Sequence, residues 1–282
     1  EKILTIIKGQ EFKLSLKDKI EINDIFYDQY LEAAAMLENI VYFELRRRGY
    51  EVYIGKNETK EIDFVAIHQG ALRQQPCLLF EERIAQVLAQ YGYDAHWMPV
   101  LRRHVEAVLA AELQPGLCLG TLPAEQRQVE MEFLIPMAPL DASALSALMA
   151  RYDPLSRQAG RLTFPAVQGM LKGFIDLVFE HQGRWYLLDY KSNYLGADYS
   201  AYQEPALSQA MLAHRYDLQY QLYTLALHRL LQQRLPGYEP ERHLGGVFYL
   251  FLRGMPQAGV WHTTVDLALL NALDALFSGE KA

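Results

Sequence analysis

Two acidic segments separated by a short polar stretch constrain this chain more than any other feature. Residues 173–179 read Gly-Phe-Ile-Asp-Leu-Val-Phe, and residues 185–193 read Trp-Tyr-Leu-Leu-Asp-Tyr-Lys-Ser-Asn. Their aromatic and branched residues predict two strands, and residues 180–184, polar with Gly183, predict the hairpin turn between them. Pairing Phe179 with Tyr186 places Asp176 opposite Asp189. Strand alternation then puts Lys191 on the Asp189 face and Tyr190 on the other. Two carboxylates brought that close call for a cation, which points to a divalent metal. A lysine beside them can orient a water or stabilise developing negative charge. The bland alternative, two exposed strand acids, leaves each charge among apolar neighbours, where an unpaired charge is costly.

The spacing Asp-x12-Asp-x-Lys resembles that of the PD-(D/E)xK nuclease superfamily. Spacing alone is a weak signal. Residues 170–179, 186–193, 214–228 and 245–254 are stronger, because in that order they resemble the carboxy-terminal nuclease domain of the RecB family. The resemblance runs from about residue 78 onward. It implies an α/β fold with a restriction-endonuclease-like three-layer core, a mixed central sheet flanked by helices. It implies a metal-dependent DNA nuclease of a RecBCD-type recombination and repair enzyme, which hydrolyses phosphodiester bonds. Mg2+ is the implied ion, at a site that Mn2+ or Ca2+ can occupy. Asp176, Asp189 and the Tyr190 backbone carbonyl are the implied ligands, with Lys191 the catalytic cation. Gln219 and Tyr223, four apart and on one helix face, are placed near the DNA. Glu130, in a Val-Glu-Met-Glu-Phe strand, is a further candidate at the metal, and Glu132 shares its face by alternation. The implied partners are DNA, the RecC and RecD subunits and RecA, in the cytoplasm.

One departure matters. The family carries a metal-binding histidine on a helix before a Leu-Phe-Glu sequence. Aligned on Phe80 and Glu81, that position holds Cys77, and Gln74-Gln75-Pro76 precedes it, where proline is expected to break a helix. This opens a second reading, a catalytically impaired nuclease fold serving as a RecA- or partner-binding module. Glu38 and Glu81 are the acids available to take the histidine's place. His68 reads as a surface residue, and His96, His104, His214 and His228 show no metal spacing.

Composition shifts near residue 68. Residues 1–68 hold ten isoleucines and seven of the ten lysines, whereas residues 69–282 hold three of each and fourteen arginines. The shift predicts two pieces, 1–68 and 69–282, and fits a fusion, an engineered chimera or an assembly artefact. The first piece resembles the nuclease-like carboxy-terminal domain of a family of prokaryotic AAA ATPases. Its residues 37–53 read as a helix stopped at Gly49 and a strand, and residues 60–66 as the next strand, carrying Asp63. No Walker A glycine loop occurs. A helix over 33–48 is expected to pack on the second piece's sheet and turn Glu38 towards Asp176 and Asp189.

Periodicity predicts helices over 78–91 and 97–113 and a strand over 128–136 ended by Pro136. It then predicts a helix from the cap Asp141 to about Tyr152, and a loop over 153–165. One long helix over 204–235, a doubly buried strand over 245–252 and a helix over 264–277 complete the chain. Hydrophobic residues at 51% and charged residues at 22% fit a globular protein. No apolar run reaches a membrane span, and no amino-terminal signal is evident. Cys77 and Cys118 form no metal pattern and fit a reducing compartment. The net charge of −7 argues against a protein coated in basic surface. It is compatible with a nuclease, whose pocket is acidic by necessity.

Overall fold

The computed structural model describes residues 5–7 and 76–280. Glu38, Asp63, His68, the helix expected over 33–48 and the seam near residue 68 lie outside the described residues.

The chain runs through β1 (Thr5–Ile7), α1 (Pro76–Gln90), α2 (Met98–Ala110), and a small hairpin of β2 (Glu112–Gln114) and β3 (Leu117–Cys118). It continues through β4 (Arg127–Leu140), α3 (Ala142–Tyr152), α4 (Pro154–Gln158), β5 (Val167–His181) and β6 (Arg184–Lys191). Then come α5 (Ala206–Ala213), α6 (Tyr216–Arg234), α7 (Pro240–His243), β7 (Leu244–Phe251), β8 (Val260–Thr263) and α8 (Leu267–Ser278). The main sheet is mixed. β1 and β4 both pair with β5, and the order continues β5-β6-β7-β8. Among the described residues only β6 and β7 run parallel. Among the described residues no helix is long and apolar enough to cross a membrane.

The central hairpin keeps the expected register, with Phe179 opposite Tyr186. Its turn contracts to Gln182 and Gly183, with φ of 53° and 79°. Two positive φ values in a two-residue loop match the twist of the strands they join. Glu180 and Arg184 are therefore strand residues, not turn residues. Higher on β5, Gly173 lies opposite Phe133, whose ring occupies the place a Cβ would take.

Parallel pairing of β6 with β7 needs a crossover, which α5 and α6 supply. The single helix expected over 204–235 is instead two, broken at Arg215 with φ 53° and ψ 35°. Its guanidinium donates to both Asp217 carboxylate oxygens, at 2.9 and 3.1 Å, and to the Gly160 carbonyl. These contacts hold a left-handed residue that costs a non-glycine about 1–2 kcal/mol.

Two buried clusters lie on opposite faces of the sheet. One joins the sheet to α3, α5, α6 and α8, and the other joins it to α1 and α2. The result is three layers. α6 is buried on most of its circumference, which marks it as the central helix of its layer.

Several boundaries differ from expectation for local reasons. β4 continues through Pro136 to Leu140 because among the described residues it is an edge strand, paired only with β5. α1 starts at Pro76, a first-turn position where a missing N–H costs nothing, so that proline opens a helix. Asp153 caps the short α4 within the expected loop by accepting from Leu155 and Ser156 N–H. Asp141 caps α3 in the same way, from Ser143 and Ala144. β8 had no counterpart in the sequence reading, and the last helix starts at its cap, Asp266.

Candidate active site

β4 and β5 pair in one register from Arg127–Phe179 to Met137–Gly169, yet the Glu130–Asp176 rung is missing. Glu130 has a φ of 48°. Both strands exchange faces at this gap. Val129 and Leu177 pack in the cluster under α1 and α2, while Met131 and Ile175 pack on the α6 side. Unbroken alternation would keep each of these pairs on one face.

The gap adjoins the end of the hairpin ladder. β5 and β6 pair as far as Leu177–Leu188, and Asp176 and Asp189 occupy the next step, beyond the last rung. Asp176 instead reaches the neighbouring strand through its side chain, with Oδ2 accepting from Tyr190 N–H at 2.9 Å. Asp189 is 1% exposed, Lys191 6% and Asp176 7%, so these charges need partners inside the protein.

Lys191 Nζ lies 2.5 Å from Asp189 Oδ1 and donates to Gln219 Oε1 at 3.1 Å. It also sits 4.0 Å from the centroid of the Tyr216 ring and 5.1 Å from that of Tyr249. Gln219 Oε1 also accepts from Tyr249 OH at 2.8 Å, and Gln219 Nε2 donates to Tyr223 OH at 2.9 Å. α6 thus delivers Tyr216, Gln219 and Tyr223 over the ammonium, and β7 delivers Tyr249, opposite Asp189 in the parallel ladder. Burial, then the Asp189 charge, holds the Tyr223 and Tyr249 phenols well above their ordinary pKa. Glu130 adds to the effect on Tyr223. Both phenols therefore stay protonated. The Tyr190 ring lies in the cluster under α1 and α2, and burial pushes its phenol up as well.

The other candidate acids go elsewhere. Glu132 pairs with Lys172 at 2.5 Å, and the face exchange breaks the alternation that would have joined it to Glu130. Glu81 pairs with Arg102 at 2.8 Å. Cys77 lies in the first turn of α1. His96 bonds Asp94, His214 lies 3.0 Å from Asn193 Nδ2, and His228 lies 3.0 Å from Tyr238 OH.

Among the described residues no group of three His, Cys, Asp or Glu is placed to hold a metal. The donors at the gap nevertheless suit a hard cation. Mg2+ binds through one or two carboxylates and completes its shell with water and phosphate, and Asp176, Asp189 and the Tyr190 carbonyl offer oxygen only. The residues fit such an ion.

The sequence reading missed Tyr216 and Tyr249. Tyr216 was findable, since it stands three and seven residues before Gln219 and Tyr223 on one helix face. Tyr249 was not, because its strand reads as a continuous apolar run.

A helix-covered mixed sheet carrying Asp-x12-Asp-x-Lys at a local distortion defines the restriction-endonuclease-like class of nuclease folds. The family model of the PD-(D/E)XK nuclease superfamily matches residues 73–276, and the chain belongs to that superfamily. It is 54% identical over 194 residues to the RecBCD enzyme subunit RecB of Escherichia coli (strain K12), covering 67% of this chain and 16% of the relative. It is 43% identical over 166 residues to the same subunit of Haemophilus influenzae, covering 57% and 14%. It is 36% identical over 246 residues to that of Mycolicibacterium smegmatis, covering 70% and 22%. The chain spans less than a quarter of the length of these relatives.

Proposed function

We propose that this chain is the nuclease domain of a RecBCD-type recombination and repair enzyme and that it hydrolyses phosphodiester bonds in DNA. Family membership and the RecB relatives support the reading. The observation that carries it is the buried Asp189–Lys191 pair beside Asp176, clamped by Gln219. Asp176, Asp189 and the Tyr190 carbonyl would hold Mg2+, with Mn2+ or Ca2+ fitting the same donors and Glu130 standing alongside. When bound, the ion lowers the pKa of its water and neutralises phosphate oxygens. Lys191 presents a fixed positive charge to the attacking water or the pentavalent phosphate. Gln219 aims that ammonium, and Tyr223 stays protonated to donate towards the DNA backbone. RecC, RecD and RecA are the proposed protein partners. The start of the family match at residue 73 supports a domain boundary near residue 68.

The purified protein is expected to degrade single-stranded DNA with Mg2+, to be inert in EDTA, and to lose cleavage in Asp189→Ala. Unchanged cleavage by Asp189→Ala overturns the reading. Capture of RecA without cleavage at any Mg2+ or Mn2+ concentration favours the impaired, partner-binding alternative.

A further inference from the structure

β6 and β7 run parallel, so their carboxyl ends open on the same side of the sheet. Ligands of α/β sheets bind outside those ends. Lys191 closes β6, opposite Phe251 at the end of β7. Tyr194 follows Lys191 by three residues, and Arg253 follows Phe251 by two.

Tyr194 is 57% exposed, the most of any large hydrophobic side chain among the described residues. A lone exposed aromatic ordinarily means nothing. This one differs in how it is mounted. Asn193 accepts from Tyr216 OH at its side chain and from Tyr202 OH at its carbonyl, and Leu195 N–H donates to Tyr202 OH. The backbone is pinned on both sides of a ring that stands in solvent. The Arg253 guanidinium lies 5.9 Å from the ring centroid, and its Nε donates to the Ser192 carbonyl at 2.9 Å, tying the two strand ends together. The nearby Asp198 turns its carboxylate to Ser200, accepting from that residue's N–H and hydroxyl. Tyr216, whose ring centroid lies 4.0 Å from Lys191 Nζ, donates its hydroxyl to Asn193 Oδ1 at 3.3 Å, so the residue before Tyr194 is anchored beside that lysine.

We propose that Tyr194 and Arg253 form a stacking step for one unpaired DNA base next to the cleaved phosphate. The base lies on the Tyr194 ring, and the guanidinium faces an adjacent phosphate. The inference rests on the nuclease reading and names the residues that would hold a base of the single strand. A base inside a duplex has neighbours on both faces and must be unstacked before it can meet the ring. Single strands are therefore preferred.

The test uses a single-stranded oligonucleotide carrying 2-aminopurine, titrated in EDTA and read by fluorescence, with Mg2+-dependent cleavage measured in parallel. The parent is expected to quench the fluorophore. Tyr194→Phe keeps the quench and the affinity. Tyr194→Ala loses the quench, binds roughly ten-fold more weakly, and cleaves with a raised KM and little change in kcat. If Tyr194→Ala binds, quenches and cleaves as the parent does, the stacking step is overturned and the nuclease reading stands. If the parent never cleaves yet its quench depends on Tyr194, the stacking step stands and the nuclease reading falls. Equal loss of affinity for blunt duplex and single strand overturns the strand preference.

Discussion

Asp176 is fixed by the backbone of the adjacent strand, its Oδ2 accepting from the Tyr190 N–H at 2.9 Å. The bond stands where a ladder rung would otherwise continue, and it orients the carboxylate beside Asp189 and Lys191.

That bond separates structure from charge. Asp176→Asn retains an oxygen for the Tyr190 N–H, and its stability is expected to stay within about 1 kcal/mol of the parent. Asp176→Ala leaves a buried donor without an acceptor, at a cost of about 1–3 kcal/mol. Both variants are expected to lose cleavage. Urea melts of the pair check this, and equal stabilities would remove the bond from the account.

Lys191 sits beside a carboxylate that is 1% exposed. Lys191→Met removes that ammonium and is expected to cost about 3 kcal/mol, as breaking a buried pair from one side does. Mg2+ should raise the thermal midpoint of this variant more than that of the parent, since the ion takes over the missing positive charge. Lys191→Arg keeps the charge but places a broad planar group between the Tyr216 and Tyr249 rings, so cleavage falls at least about ten-fold. Wild-type cleavage by Lys191→Arg, or identical Mg2+ shifts, would contradict this.

Glu130 holds a positive φ that a side chain resists. Glu130→Gly relieves a strain of about 1 kcal/mol, and its stability is expected to match or exceed that of Glu130→Gln, which keeps the strain. Both are expected to cleave more slowly, because both lose the carboxylate. A marked loss of stability in Glu130→Gly would show that the side chain's contacts outweigh the backbone.

Burial lowers the pKa of His104, His228 and His262. Each therefore binds a proton more readily in the unfolded chain than in the fold. Their contribution to stability is complete above the unfolded value, about 6.5, and is lost as pH falls through the lower folded values. Denaturation midpoints measured from pH 8 to pH 5 should hold steady and then decline on the acid side. His228→Phe should flatten part of that decline, and an unchanged slope would acquit His228.

Much of the site was legible because the hairpin announces itself. Alternation and one glycine fix the Phe179–Tyr186 register, and that register carries Asp176, Asp189 and Lys191 to one end of the pair. The face exchange was not legible. It needs Glu130 in a left-handed conformation, and nothing in a Val-Glu-Met-Glu-Phe strand advertises one. The helix break at Arg215 was hidden for a similar reason, since its partner Gly160 is remote in sequence. Pro136 misled because sequence does not say which strand is the edge, and Tyr249 was lost in an apolar run that its hydroxyl barely interrupts.

The crossover also sets the order in which the site can assemble. Lys191, Tyr216, Gln219, Tyr223 and Tyr249 all belong to the β6–α5–α6–β7 unit, whereas Asp176 and Glu130 belong to the antiparallel half of the sheet. β6 is the seam between the two halves. No partly folded state that lacks either neighbour of β6 can hold the full set of charges, so the proposed cleavage is expected only when both halves have docked on that strand. Peeling either one away is then expected to abolish cleavage while most of the helices are still intact.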